Sequence, residues 1–152
     1  EKGGTLELVL DGSEAPFLNK PDNMTIDRKG NLLIQEDPGN NAQLARIIAF
    51  QIDTGDRGVV AEFDRKLFRM GQPGFLTQDE ESSGIIDARK LLGQGWFLFD
   101  AQVHKPSGNP ETVEPGQLLA LHVRKFRDVY DIDGAAGEGT GKGKGKGGRR
   151  RN

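Results

Sequence analysis

The chain has 152 residues, 34% of them apolar, with a mean hydropathy of −0.60 and a formal net charge of −2. That is enough chain for one domain with a core, and its longest apolar runs, Leu44 to Phe50 and Trp96 to Phe99, fall far short of the roughly 20 residues a bilayer helix needs, so no membrane span is expected. The absence of cysteine excludes disulfides, thiolate metal sites and a cysteine nucleophile, leaving any metal to oxygen or histidine ligands.

The net charge hides a split. Six of the 21 Lys/Arg but only one of the 23 Asp/Glu lie from Ala135 onward, which leaves 15 bases against 22 acids, a balance of −7, in the body before it. The body therefore favours cations and the tail favours anions. Nothing at the N-terminus reads as a signal peptide, because Glu1-Lys2-Gly3-Gly4 leads directly into a strand pattern.

Thr5-Leu6-Glu7-Leu8-Val9-Leu10 alternates partly and ends in Asp11-Gly12, predicting a strand and a turn. A β-hairpin follows. Met24 and Ile26 are apolar between polar neighbours, Asp27-Arg28-Lys29-Gly30-Asn31 has turn chemistry, and Leu32 to Ile34 resumes the apolar run. The turn closes one end of the hairpin, so Asp22, Asn23, Glu36 and Asp37 are expected near the other end. Leu44 to Phe50 is a buried strand candidate that runs through Asp53-Thr54-Gly55-Asp56 into Val59 to Phe63. Asp64 to Met70 allows one turn of helix, broken at Gln72-Pro73-Gly74-Phe75. Ser83 to Asp87 precedes a short helical turn over Ala88 to Leu92 with a glycine stop at Gly93. Trp96 to Ala101 and Gln117 to Val123 are the last clear strands.

Strands dominate and no long helix is evident, so the expected class is all-β. The spacing of the strand groups suggests a meander like the blades of a propeller, and the residues before the tail hold about three blades of roughly 40 to 50 residues. Because propellers close with about four or more blades, the chain is expected to be a partial β-propeller over residues 1–133; a small sandwich or barrel is the alternative. After Asp133 the composition becomes Gly/Lys/Arg-rich, and residues 134–152 are expected to form a disordered basic tail. Such a tail either attracts polyanions weakly or serves as a solubilising terminus, since no aromatics are interleaved to stack bases.

Three acidic clusters are candidates for a hard cation: Asp22 with Asn23, Glu36 with Asp37, and Asp79-Glu80-Glu81. Calcium takes oxygen ligands from carboxylates and amide carbonyls in irregular geometry, which suits such loops. A carboxylate ending a buried strand, as Glu36 does, is hard to attribute to surface solvation. Ser82 and Ser83 lack the Gly-x-Ser-x-Gly elbow of a nucleophile and read as turn hydroxyls. His104 stands where a strand leaves the sheet, as a ligand, an acid/base group or an ordinary loop histidine; His122, among leucines, reads as structural. Trp96 reads as a core aromatic beside Phe97 and Phe99. No Walker loop or EF-hand loop is present.

Four segments, Phe17 to Met24, Gly30 to Asp37, Glu80 to Asp87 and Trp96 to His104, resemble the C-terminal part of PhoX-like alkaline phosphatases and their bacterial relatives. The similarity extends over about Phe17 to Val123, and its Pro-Asp-Asn element is similar also to gluconolactonase and regucalcin-like propellers. The resemblance implies a β-propeller with a central calcium site, hydrolysis of phosphoester substrates, an additional iron (Fe3+) centre as in the phosphatases, and a periplasmic or extracellular location. It implies Glu36 and Glu81 as metal ligands at the central channel, flanked by Asp22 and Asn23, with Asp37 as a further ligand and His104 as the catalytic group. The family's N-terminal half has no counterpart here, so the chain is expected to be incomplete as an enzyme, its missing blades supplied by the same or another chain. A noncatalytic calcium-stabilised binding or scaffold module and a lactonase-like hydrolase are the competing expectations.

Overall fold

The alternating run that starts at Pro21 opens an uninterrupted antiparallel meander in the computed structural model, which describes residues 3–130. Strands β1 (Pro21–Ile26), β2 (Asn31–Glu36), β3 (Arg46–Gln51) and β4 (Arg57–Glu62) form a four-stranded sheet in chain order. Strands β5 (Glu80–Asp87), β6 (Trp96–Val103) and β7 (Gly116–His122) form a second, three-stranded sheet, also in chain order. Three short helices fill the connections: α1 (Arg65–Phe68), α2 (Arg89–Leu92) and α3 (Phe126–Tyr130).

The β1–β2 turn forms because Asp27 organises it. Its carboxylate accepts from the Lys29 and Asn31 main-chain N–H groups at 2.7 and 3.0 Å and from Asn31 Nδ2 at 2.8 Å. Gly30 takes the left-handed conformation, φ 77°, that this side-chain-bonded turn requires. At α1 the Asp64 carboxylate caps the first turn by accepting from Lys66 N, and Phe68 is driven inward onto Phe63 in an edge-to-face contact of 5.1 Å. At α2 the chain stops at Gly93, φ 102°.

The two sheets pack face to face. Leu33 and Ile47 of the first meet Ile85 and Phe97 of the second, with Val123 closing the cluster. Burial of side chains of this size stabilises by about 1.5–3 kcal/mol each, which makes this layer the main source of cohesion. Phe126 and Val129 of α3 cover one end of the cleft, and Tyr130 donates from its hydroxyl to Asn31 Oδ1 at 2.8 Å. The other end stays open as an apolar cavity of about 490 Å3 lined by Ile47, Ala61, Phe68, Phe99 and Leu119.

Several expectations are corrected. The described strands make two sheets where the spacing suggested about three blades, and neither sheet closes on itself. Thr5 to Leu10 is not a strand: Leu6, Leu8 and Val9 are exposed and the segment pairs with none of the described residues. Glu80 to Ser83, read as loop and turn, form the first half of β5. Trp96 lies on the face opposite Phe97, stacked on its cross-strand partner His122 at 4.4 Å. The mostly β architecture holds, with no membrane-spanning helix among the described residues. The tail expectation at 134–152 lies outside the described residues.

Candidate functional site

The end of β2, the start of β5, the exit of β6 and the approach to β7 lie at one rim of the two sheets. Main-chain hydrogen bonds tie this rim together: Asp37 N donates to Lys20 O at 3.0 Å, Asn41 N to Gln78 O at 3.2 Å and His104 N to Asp79 O at 2.9 Å. The Asp79 carboxylate accepts from Asn40 N at 3.0 Å. Asp37 and Asp79, from two of the acidic clusters, are therefore tied into this rim.

Glu36 takes a different role from the one expected. It is fully buried, and both its oxygens are engaged: Arg46 Nε donates to Oε2 and Arg46 Nη2 to Oε1, each at 2.8 Å, while Asn19 N donates to Oε1 at 2.7 Å. A two-pronged guanidinium–carboxylate pair of this geometry is strong and directional. A cation coordinated by Glu36 would have to displace Arg46. The sequence reading missed Arg46, although it is the one charged residue in the Leu44 to Phe50 run, which is the signal that it needed a buried partner.

Asp22 and Asn23 sit in an irregularity of the β1–β2 ladder between Pro21 and Met24. Bulges re-aim side chains, and here Asn23 Nδ2 donates to Asp22 and, at 3.0 Å, to Ser83 Oγ of β5. β5 is irregular at the facing point, between Ser83 and Ile86, where Gly84 adopts φ 63°. Ser83 thus serves the junction of β1 and β5. Ser82 is buried on the other face, and its hydroxyl has no hydrogen-bond partner. It meets no base that would make it a nucleophile.

Asp37, Glu81, His104 and Glu114 form the chemically active row. Burial, with the neighbouring Asp37 charge adding to it, pushes the Glu81 carboxyl above the ordinary carboxylate value. His104 Nε2 lies 3.5 Å from Glu81 Oε1, and Nδ1 lies 2.9 Å from Glu114 Oε2. The hydrogen bond to Glu114 raises the His104 value, with Glu81 adding to it, so the imidazolium is favoured between two carboxylates. Glu80, beside this row, is buried and accepts from Ala45 N at 3.1 Å; burial raises its carboxyl, and Oε2 is left without a partner. Glu114 is the residue of this row that the sequence did not single out.

Calcium takes about six to eight oxygen ligands. Asp37 and Glu81 suit it as adjacent carboxylates, Glu36 does not, and His104 is already held by two acids. Asp22 and Asn23 lie apart from the row, bonded to each other and to Ser83. Among the described residues no three acidic or histidine side chains are grouped closely enough to hold an ion by themselves. The arrangement can share protons along Asp37–Glu81–His104–Glu114 and can supply a carboxylate pair to a cation completed by other donors. A scan against protein-family models and searches of curated proteins and of solved structures find no match to this chain.

Proposed function

We propose that the chain is part of a β-propeller and that its rim contributes Asp37 and Glu81 to a calcium site serving phosphoester hydrolysis. The observation that carries this reading is the partly buried Glu81 carboxyl set 3.5 Å from His104 Nε2 on the rim, where burial first and the neighbouring Asp37 charge second raise it. Two acids pressed together are costly unless a proton or a cation lies between them, and a divalent ion offsets both charges at once. The reaction class rests on the resemblance of four segments to PhoX-like phosphatases, and a metal at such a rim would polarise a phosphoryl oxygen. His104, adjacent to Glu81 and raised above its ordinary value chiefly by its hydrogen bond to Glu114, is the group positioned to give a proton to a leaving oxygen. With only two sheets and an incomplete ligand set among the described residues, the chain supplies part of the site, and the other blades complete it.

A noncatalytic, calcium-stabilised module is the second reading, favoured by the engagement of Glu36 with Arg46 and by the missing base at Ser82. Thermal unfolding with and without calcium tests the shared premise. A ligand that binds only the folded state raises the midpoint, by an amount equivalent to about 2.7 kcal/mol at a hundredfold excess over its dissociation constant. Glu81→Gln is expected to abolish the shift, whereas Glu36→Gln, already removed from the rim by Arg46, keeps it. No calcium-dependent shift in the wild-type chain would sink the module reading, and none in the completed propeller would sink both. Hydrolysis of a chromogenic phosphomonoester separates them, since the module predicts none even when the complete propeller is supplied.

A further inference from the structure

Among the described residues, one sheet ends in an open edge and one strand-like segment is left unpaired. Among the described residues the first sheet has four strands and the second three, so that β7 is hydrogen-bonded there to β6 alone and forms an edge of the second sheet. Leu118 on β7 is 78% exposed, Ile86 on the same sheet is 52% exposed, and Leu119 lines the open end of the 490 Å3 cavity between the sheets. The other outer edge, β4, is shielded by comparison, with half-buried or buried residues along most of its length and α3 packed against it. Natural proteins seldom leave an apolar edge of this length bare.

Thr5 to Leu10 has the complementary defect. It alternates as a strand does, yet no hydrogen bond joins its main chain to any described residue, and Leu6, Leu8 and Val9 are 102%, 77% and 60% exposed. Arg57 Nε donates to Ala15 O at 2.7 Å and Arg46 Nη2 to Phe17 O at 2.6 Å. These bonds tie the following residues to the first sheet, and within the described residues Thr5–Leu10 makes no hydrogen bond to β7.

We propose that Thr5–Leu10 of a second copy of this chain adds to β7 as the fourth strand of the second sheet. Antiparallel pairing with Leu8 opposite Leu119 sets Leu6 opposite Leu121, Val9 opposite Leu118 and Glu7 opposite Ala120. In this register Leu6, Leu8 and Leu10 all face the cleft and close the mouth of the cavity, while Val9 covers Leu118 and Glu7 faces solvent. A slip of one residue would turn Glu7 toward the apolar cavity, so the pattern itself selects the register. Main-chain hydrogen bonds supply affinity and the leucines supply specificity, as in other strand additions. Each copy carries one donor segment and one acceptor edge, so reciprocal exchange gives a two-fold dimer and head-to-tail addition gives a closed ring.

Sedimentation velocity of the full chain over a concentration series tests this. A dimer or closed ring is expected. Val9→Pro removes a donor from the incoming strand, and Leu118→Lys places a charge on the acceptor face. Each is expected to weaken self-association by at least about tenfold while far-UV circular dichroism stays unchanged, because neither side chain is packed in its own chain. The decisive arm is a mixture: Val9→Pro keeps its acceptor edge and Leu118→Lys keeps its donor segment, so together they re-form one contact and give a one-to-one heterodimer. A monomeric wild-type chain overturns the proposal, as does a Val9→Pro chain that stays oligomeric or a mixture that remains monomeric.

Discussion

Replacing Arg46 by alanine strips the buried Glu36 carboxylate of its charge partner. Glu36 is completely shielded from solvent and Arg46 is 14% exposed at its side chain, so water cannot take the place of the guanidinium. Breaking a buried, hydrogen-bonded ion pair from one side costs about 3–5 kcal/mol, most of it the uncompensated charge left behind. The loss is compounded by the Phe17 carbonyl, which accepts from the same guanidinium at 2.6 Å. For a domain of this size each kcal/mol moves the midpoint by roughly 3–5 °C, so Arg46→Ala is expected to melt roughly 10–20 °C below the wild type.

Urea unfolding followed by the fluorescence of Trp96, the single tryptophan, measures this directly. The companion experiment is Glu36→Met with Arg46→Met, which removes both charges and keeps apolar volume. Its expected cost is about 1–2 kcal/mol, since Asn19 N and Phe17 O lose partners but no charge is stranded. The double variant should therefore be more stable than the single one. A loss below about 1 kcal/mol in Arg46→Ala, or a double variant worse than the single, would refute the assignment of Glu36 to a structural ion pair.

Ser82→Ala deletes a buried hydroxyl that has no partner, so it is expected to be neutral or to stabilise by up to about 1 kcal/mol in the same urea assay; a loss of more than about 1 kcal/mol would mean that Oγ is satisfied in solution. Gly58→Ala would press a methyl group onto the main-chain carbonyl of Val129, and is expected to cost about 1–3 kcal/mol and to expose α3 to proteolysis before the rest of the chain. Burial raises the Glu80 carboxyl above 4.5 in the folded chain, so between the unfolded and folded values the native state holds more protons than the unfolded state, and stability falls as pH rises through that window. Glu80→Gln is expected to flatten this slope, and an unchanged profile from midpoint measurements across the acid range would contradict it. His104, raised above 6.5 chiefly by its hydrogen bond to Glu114, contributes stability that is complete below 6.5 and lost as pH rises through its folded value; Glu114→Gln should shrink that second decline.

The parts of this fold that local chemistry decides were legible in the sequence. Asp27 and Gly30 specify the first turn through side-chain bonds and a left-handed residue, and the Leu44 to Phe50 run becomes β3 because a strand at the centre of a sheet is apolar on both faces. Glu80 to Ser83 was not legible as a strand. Glutamate and serine have little strand preference, and they pair with β6 only because Ser82 and Glu80 are packed on one face while Ser83 meets Asn23 on the other. Thr5 to Leu10 fails in the opposite direction: it has the pattern of a strand and finds no edge within the described residues. Pattern states what a segment is able to pair with, and pairing depends on which edge comes within reach.

The same distinction separates Glu36 from Glu81. Glu36 ends an apolar strand and Glu81 stands near the start of a polar one, yet both are carboxylates of the expected ligand set. Burial of Glu36 was foreseeable, and a carboxylate with no solvent requires a countercharge. Arg46, ten residues on, begins the strand that runs antiparallel to β2, and so it reaches that carboxylate while the rim faces elsewhere. Glu81 has no such strand-mate: β6 offers Gln102 opposite it, which carries no charge, and its environment is set by Asp37 and His104 from other elements. A carboxylate compensated within its own sheet holds the fold together. One whose neighbours come from other elements, as Glu81 has Asp37 and His104, is raised by burial and held less firmly to a single partner.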